Sequence, residues 1–560
     1  MCGICGAYGA SEPKKTLKML EAILHRGPNG NQVKNFPWGS LGFCRLDIFG
    51  SPSMNQPAIS LDRQKAVIFN GEIYNFQDLK SSLGCNKTIV DEAELILELY
   101  SVYGEDFITK LKGMFAIAIM APEKLVLFRD VAGIKPLVYF NYKNRIYFAS
   151  EIKALLRIKE DMIELDEDAL AETAVFGFIY GLEKTMFRGI SQVHPGAYTI
   201  FENGTIRSKS FNQLRHSYYG APLSDADIVD QFITRMDDTA KLFLEHSKHP
   251  HSIYLSGGVD SSLMTCFLQR HSQTPLDTFT LFDDVMCEDR YFASRVANEL
   301  GARHNEFKTN VDECLKWIDH YLYHYESLVT DGIFNVLGSL AFHILAQRIS
   351  KTHKVSYCGE GADELFGGYY WMHTHPLGLG DRLRARSARV NEGKTAINNY
   401  ILERFPNDDS KEKDITKEIF DLLMGPGLTN CHLWSVDRSS SAFSFEARPY
   451  YLYDGIREWA LSLPIENKVA GKDTKLVLKK YAQKIGLPLF VDIAARKKIG
   501  MPAALNVSLK NLIAYAESEF KEKPVDNKPH MEYASYFSTD LERLLFDRFY
   551  YLFIDKRGVQ

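Results

Sequence analysis

The chain has 560 residues, with 66 Lys and Arg against 71 Asp and Glu and a formal charge of −5. At about 100–200 residues per domain, that length predicts roughly two to four domains. With 45% apolar and 24% charged residues, collagen-like, coiled-coil and disordered readings of the whole chain are excluded, and the near-neutral balance leaves no strong electrostatic footprint for nucleic acid.

The apolar run Met114 to Ala121 stops at Pro122-Glu123, far short of the about 20 residues a membrane span needs. No basic segment leading into an apolar one opens the chain. The expectation is a cytoplasmic protein with no membrane and no nucleic-acid partner. Nine irregularly spaced cysteines suit free thiols in a reducing compartment rather than a disulfide framework.

In chain order, Lys14 to Leu24 and Glu92 to Tyr100 have helical spacing. Lys65 to Phe69, Leu125 to Arg129, Asn144 to Ala149 and Ala197 to Phe201 are β-prone. Glu202-Asn203-Gly204-Thr205 predicts a hairpin turn, because Asn-Gly accepts positive φ. This is an α+β pattern. A polar segment, Phe211 to Ser224, predicts the domain boundary. Beyond it, strands at Ser252 to Leu255, Asp277 to Phe282 and Lys354 to Cys358 alternate with helical stretches such as Arg290 to Leu300 and Gly338 to Ser350. That alternation predicts a mainly parallel sheet. After about Gly380 the pattern is mostly helical, with a polar loop at Asn407 to Lys413.

The chain opens Met1-Cys2-Gly3-Ile4-Cys5-Gly6. Removal of Met1 would give Cys2 a free α-amine, with a reference pKa near 7.7–8.0, able to act as base for its own thiol. Alone, such a cysteine is ordinarily inert. A metal or redox pair with Cys5 lacks further ligands at metal spacing. Two other strings matter: His25-Arg26-Gly27-Pro28-Asn29-Gly30, and Asn70-Gly71-Glu72-Ile73-Tyr74-Asn75. An Asn amide beside a backbone N–H can hold an oxyanion.

In order and spacing these strings resemble the glutaminase domain of the class II (N-terminal nucleophile) glutamine amidotransferases. The resemblance implies Cys2 as nucleophile and Asn70 and Gly71 as the oxyanion hole. It also implies Arg45 on the glutamine carboxylate, Glu72 on the substrate, and Asp91 or Glu92 on the amine. Either carboxylate can hold an ammonium.

Ser256-Gly257-Gly258-Val259-Asp260-Ser261-Ser262 follows a strand and precedes a helix beginning at about Leu263. Backbone N–H groups there attract phosphate, and Asp260 makes sense as a Mg²⁺ ligand. A capping Ser-Gly turn is the plainer reading, and the Walker pattern is absent. The string resembles the pyrophosphate loop of the ATP pyrophosphatases. Gly359-Glu360-Gly361-Ala362-Asp363-Glu364 with Phe366-Gly367-Gly368-Tyr369 resembles a stretch of the asparagine synthetases. Phe445-Glu446-Ala447-Arg448 and Arg496-Lys497-Lys498-Ile499-Gly500 also recur at that family's positions.

The whole order, from Cys2 to about Gly500, resembles glutamine-hydrolysing asparagine synthetase. That resemblance implies an αββα N-terminal nucleophile hydrolase sandwich over 2–210. It implies an α/β parallel-sheet ATP-pyrophosphatase domain with a helical C-terminal part over 225–560. It further implies ATP binding by Leu255, Ser256, Gly257, Gly258, Asp260, Ser261, Leu281, Cys358 and Gly359, with Mg²⁺ on Asp260 and Asp363. Glu360 would be the general base and Lys498 would neutralise pyrophosphate.

The expected partners are glutamine and a carboxylate acceptor, and a homodimer is compatible with the pattern. Aspartate is the first expected acceptor. A uronic acid or secondary-metabolite precursor is the alternative, because Asn29, Phe43-Cys44 and Pro449 to Asp454 depart from the family's usual residues. A non-catalytic sensor would not need Cys2, Glu360 and Lys498 all intact. A tRNA-modifying enzyme would want a more basic chain.

Overall fold

A computed structural model describes residues 2–48, 56–84, 89–159, 163–217, 223–330, 336–369, 376–390, 395–406, 412–496, 505–522, 533 and 535–556. The first half holds two six-stranded antiparallel sheets. In one, Gly3–Tyr8 lies between Gly39–Cys44 and Arg145–Ala149. In the other, Ala66–Ile73, Gly113–Met120, Lys124–Arg129 and Ala197–Glu202 lie side by side.

Alternation along each strand sends one set of side chains between the sheets. Ile4, Leu41 and Phe43 from the first sheet meet Ile68, Ala116 and Ala118 from the second in a shared core. The outer faces are covered by helices. Met19 and Leu20 of Pro13–Glu21 pack on Cys5, Ala7 and Cys44. Leu95, Ile96 and Leu99 of Glu92–Tyr103 pack on Phe69, Ile117 and Phe128. The layers are therefore helix, sheet, sheet, helix, as expected.

Two features here differ from the sequence reading. The helix predicted over Lys14 to Leu24 stops at Glu21, and a 3₁₀ turn follows at Leu24–Arg26. That turn carries the Arg26 guanidinium to its buried partners, Glu151 and Asp437. The strands Gly3–Tyr8 and Gly39–Cys44 were not foreseen, because glycine is poor at signalling strand. Close packing calls for it at Gly6, where a Cβ would lie 2.6 Å from the Phe148 ring.

The second half is built on five parallel strands in the order Arg303–Lys308, Asp277–Phe282, His251–Tyr254, Val355–Cys358, Glu446–Pro449. The order of connection reverses between His251–Tyr254 and Val355–Cys358. In open α/β sheets such a switch point is where ligands bind. The helix after the serine–glycine loop begins at Val259, not Leu263, so Asp260 and Ser261 sit in its first turn. Gly258 supplies the extended N-cap backbone, and small polar residues suit a helix start.

Residues 376–556 are mostly helical where described, as predicted, yet they also contribute the edge strand Glu446–Pro449. A π-helical stretch, Leu423–Leu433, contains Pro426. Proline lacks the N–H that an α-helical ladder needs, and π segments recur at functional sites. Residues 407–411 of the predicted polar loop lie outside the described residues. Among the described residues, no helix is long and apolar enough to cross a membrane.

Candidate active sites

Cys2 stands just before Gly3–Tyr8, and the Gly3↔Cys44 pairing sets it across from Arg45. Its half-buried side chain packs against the inter-sheet core. Burial pushes the Cys2 thiol above its ordinary value, and the Glu446 and Glu72 carboxylates push it the same way. Cys5, three residues on, points to the opposite face. It is fully buried, with Sγ toward the Thr16 carbonyl at 3.7 Å. A Cys2–Cys5 metal or redox pair is therefore not formed.

Asn70 and Gly71 lie on the neighbouring sheet, in Ala66–Ile73. Asn70 is fully buried, and among the described residues neither its amide nitrogen nor its amide oxygen has a hydrogen-bond partner. An orphaned buried amide is costly unless a ligand completes it. Gly71 has φ +152, and a Cβ there would lie 2.0 Å from the Met114 carbonyl oxygen, so only glycine fits.

The charged groups expected to hold glutamine come from several elements. Arg45 is held by Asp47 at 2.7 Å. Asn29, one of the departing residues, accepts from the Asp47 N–H at 2.9 Å and so steadies the same turn. Asp91 caps Glu92–Tyr103, accepting from the Glu94 N–H at 2.8 Å. Glu92 accepts from the Ile73 N–H at 2.8 Å. Burial raises both acids, with Arg45 opposing the rise in Asp91 and Glu72 adding to that in Glu92. Glu72 meets Arg448, which comes from the second half of the chain, at 3.0 Å.

At the switch point of the parallel sheet lies a cavity of about 1190 Å³. Leu255, Ser256, Gly258, Asp260, Ser261, Leu281, Cys358, Gly359, Glu360 and Asp363, each expected from sequence, all line it. Gly257 stands behind the wall at φ +70, where a Cβ would lie 2.5 Å from the Ala293 nitrogen. It permits the loop to press on helix Glu288–Leu300. Lys498 lies outside the described residues.

Two groups, Lys475 and His432, were missed by the sequence reading. Lys475 contacts both Asp260 and Asp363, the latter at 2.7 Å, with its side chain buried. Its ammonium occupies the point where two hard oxygen donors converge. Among the described residues, Asp260 Oδ1 accepts no hydrogen bond, and such a donor set fits Mg²⁺. Arg496, the first residue of the string that runs to Gly500, lines the cavity and donates to the Gly257 carbonyl at 3.3 Å. His432, from the π-helical stretch, places Nδ1 3.2 Å from Glu360 Oε2 and Nε2 3.6 Å from Glu364 Oε1. Tyr369 donates to Glu364 at 2.6 Å. Burial disfavours the imidazolium, but the two carboxylates outweigh it and lift His432 to about 9.

A glutamine amidotransferase domain family model matches residues 1–212, and an asparagine synthase family model matches residues 234–548. The chain belongs to the asparagine synthase family. It carries a glutamine amidotransferase domain in front and is a carbon–nitrogen ligase of the glutamine-hydrolysing type. It is 27% identical to asparagine synthetase [glutamine-hydrolyzing] 1 of Bacillus subtilis, over 95% of this chain and 92% of that protein. It is 28% identical to asparagine synthetase B [glutamine-hydrolyzing] of Escherichia coli, over 67% of this chain and 66% of that one. Among solved structures, a glutamine phosphoribosylpyrophosphate amidotransferase from B. subtilis aligns over 55% of this chain and 81% of its own, at 15% identity and a TM-score of 0.30, a likeness too slight to weigh.

Proposed function

We propose that this family member amidates a carboxylic acid, with aspartate as the first-choice acceptor and asparagine as product. One observation carries the synthetase half: Asp260 from one loop and Glu360 and Asp363 from another line a single cavity at the switch point. The two halves divide at Phe211 to Ser224, with the glutaminase over 2–210 and the synthetase over 225–560.

In the first half, the Cys2 thiolate attacks the glutamine side-chain amide. The Asn70 amide and the Gly71 N–H receive the oxyanion. Arg45 holds the substrate carboxylate by a two-pronged hydrogen bond, and Asp91, Glu92 and Glu72 form the ammonium side. Ammonia leaves, and water releases glutamate from the thioester.

In the second half, an acceptor carboxylate oxygen attacks the α-phosphorus of ATP and pyrophosphate departs. Ammonia then attacks the acyl carbon, Glu360 takes the proton, and AMP leaves. Asp260 and Asp363 would hold Mg²⁺, which offsets phosphate charge when bound. Lys475 and Arg496 supply positive charge within the cavity, and Lys498 would neutralise pyrophosphate. Cytoplasmic residence is supported by the eight described cysteines, all free thiols.

The test is product analysis with glutamine or ammonia, ATP and a panel of acids. Aspartate should give asparagine and AMP. AMP with another acid instead would move the acceptor; no AMP with any acid would refute the synthetase reading. Asp260→Asn should remove ATP-dependent activity and leave glutaminase measurable.

A further inference from the structure

We propose that the interface between the two halves holds one divalent transition-metal ion of the zinc class, bound by His25, Glu151 and His324. One donor atom from each residue lies within 4.8 Å of the other two. His25 Nε2 is 3.0 Å from Glu151 Oε2, and the His25 and His324 rings meet edge to face at 4.5 Å. Tetrahedral zinc with bonds of about 2.0–2.2 Å sets its donors roughly 3.3 Å apart. Closure around an ion therefore needs only small side-chain shifts.

A second observation points to a ligand. His324 is 7% exposed, and its Nδ1 has no hydrogen-bond partner among the described residues. His320, one turn earlier on helix Val311–Tyr325, stacks beside it at 4.5 Å and hydrogen-bonds to His343 at 2.9 Å. His343 Nδ1 is likewise without a partner among the described residues. Four imidazoles thus gather where the halves meet. Imidazole with one carboxylate favours zinc-like ions over magnesium or calcium.

Glu151 also contacts Arg26 and Lys153, and lies 3.8 Å from Arg438. Each of these cations has a second carboxylate. Asp437 meets Arg26 at 2.9 and 3.1 Å, and Glu326 meets Lys153 at 3.2 Å and Arg438 at 2.9 Å. Glu151 can turn an oxygen to the ion without stranding any of them. The same three cations oppose a dication, so the affinity belongs in the micromolar range, not at the strength of a structural zinc site. An ion here would pin the interface beside Arg26, whose Nε donates to the Cys2 carbonyl at 3.1 Å.

Equilibrium dialysis of the full chain against Zn²⁺ and Co²⁺, with metal counted per chain by mass spectrometry, tests this. The expected result is one ion per chain at micromolar free metal, with the visible absorption of a low-coordinate Co²⁺ site. His25→Ala and His324→Gln should each weaken binding by roughly tenfold or more. If His324→Gln fails to fold, the partly exposed His25 carries the test alone. No stoichiometric binding at millimolar metal, or wild-type affinity in His25→Ala, overturns the proposal.

Discussion

The Glu72 carboxylate and the Arg448 guanidinium lie 3.0 Å apart across the boundary between the two halves. Arg448 also holds Glu446 at 2.7 Å and the His246 carbonyl at 2.8 Å, while Lys135 meets Glu446 at 2.9 Å. In the parallel register Arg448 pairs with Tyr357, three residues before Glu360. A group of the candidate glutamine pocket is thus one strand away from the candidate base of the other site.

Glu72 predicts a pH dependence. Burial raises its pKa to about 7; Arg448 opposes the rise and Glu446 adds to it. Arg448 is itself held firmly charged by the same neighbours. Its one charge serves two carboxylates and favours Glu446, whose pKa is depressed, so the upward direction for Glu72 stands. Glutaminase kcat/KM should fall as pH drops below about 7, and Glu72→Gln should lose that limb. An unchanged profile in the variant would show that Glu72 does not titrate in this step. For folding, the proton binds more tightly in the native state. The stability it brings is full below the unfolded value and is lost as pH climbs through about 7.

Cys2→Ala should abolish glutamine-driven product and leave ammonia-driven product near wild type. Paired assays with the two nitrogen donors decide it. Equal loss in both would break the division of labour between the halves.

His432→Gln should lower ammonia-driven kcat by about tenfold, within the range for acid–base groups, while glutaminase stays within about twofold. The reason is geometric: His432 bridges Glu360 and Glu364, and without it the Glu360 carboxylate loses its held orientation. Unaltered ammonia-driven kcat would remove His432 from the account.

Arg26→Met should destabilise the chain by about 3–5 kcal/mol, the usual cost of stranding buried charges. Arg26 is fully buried against Glu151 at 2.6 Å and Asp437 at 2.9 Å. Chemical denaturation would measure the loss, and a change under about 1 kcal/mol would contradict this weighting of a buried pair.

What the sequence shows and hides follows from distance along the chain. Ser256 to Ser262 and Gly359 to Glu364 are short strings in which each loop carries its own chemistry, so both could be read directly, and they line one cavity. Lys475, His432 and Arg448 reach their partners only through sheet order and helix packing. No local pattern announces such meetings, although Lys472, Lys475 and Lys479 line the cavity at one-turn spacing, a signal that could have been weighed. Asp91 and Glu92 remain a pair because both carboxylates already serve the backbone of the same helix start and strand end.

The charged groups sealed between the halves also bear on how the chain can be dissected. Lys135, Arg26, Glu446 and Arg448 lie on facing surfaces and have essentially no contact with solvent. A protease cut between Phe211 and Ser224 should therefore leave two fragments that still co-elute. Either piece expressed by itself would present stranded ions to water, and should be poorly soluble.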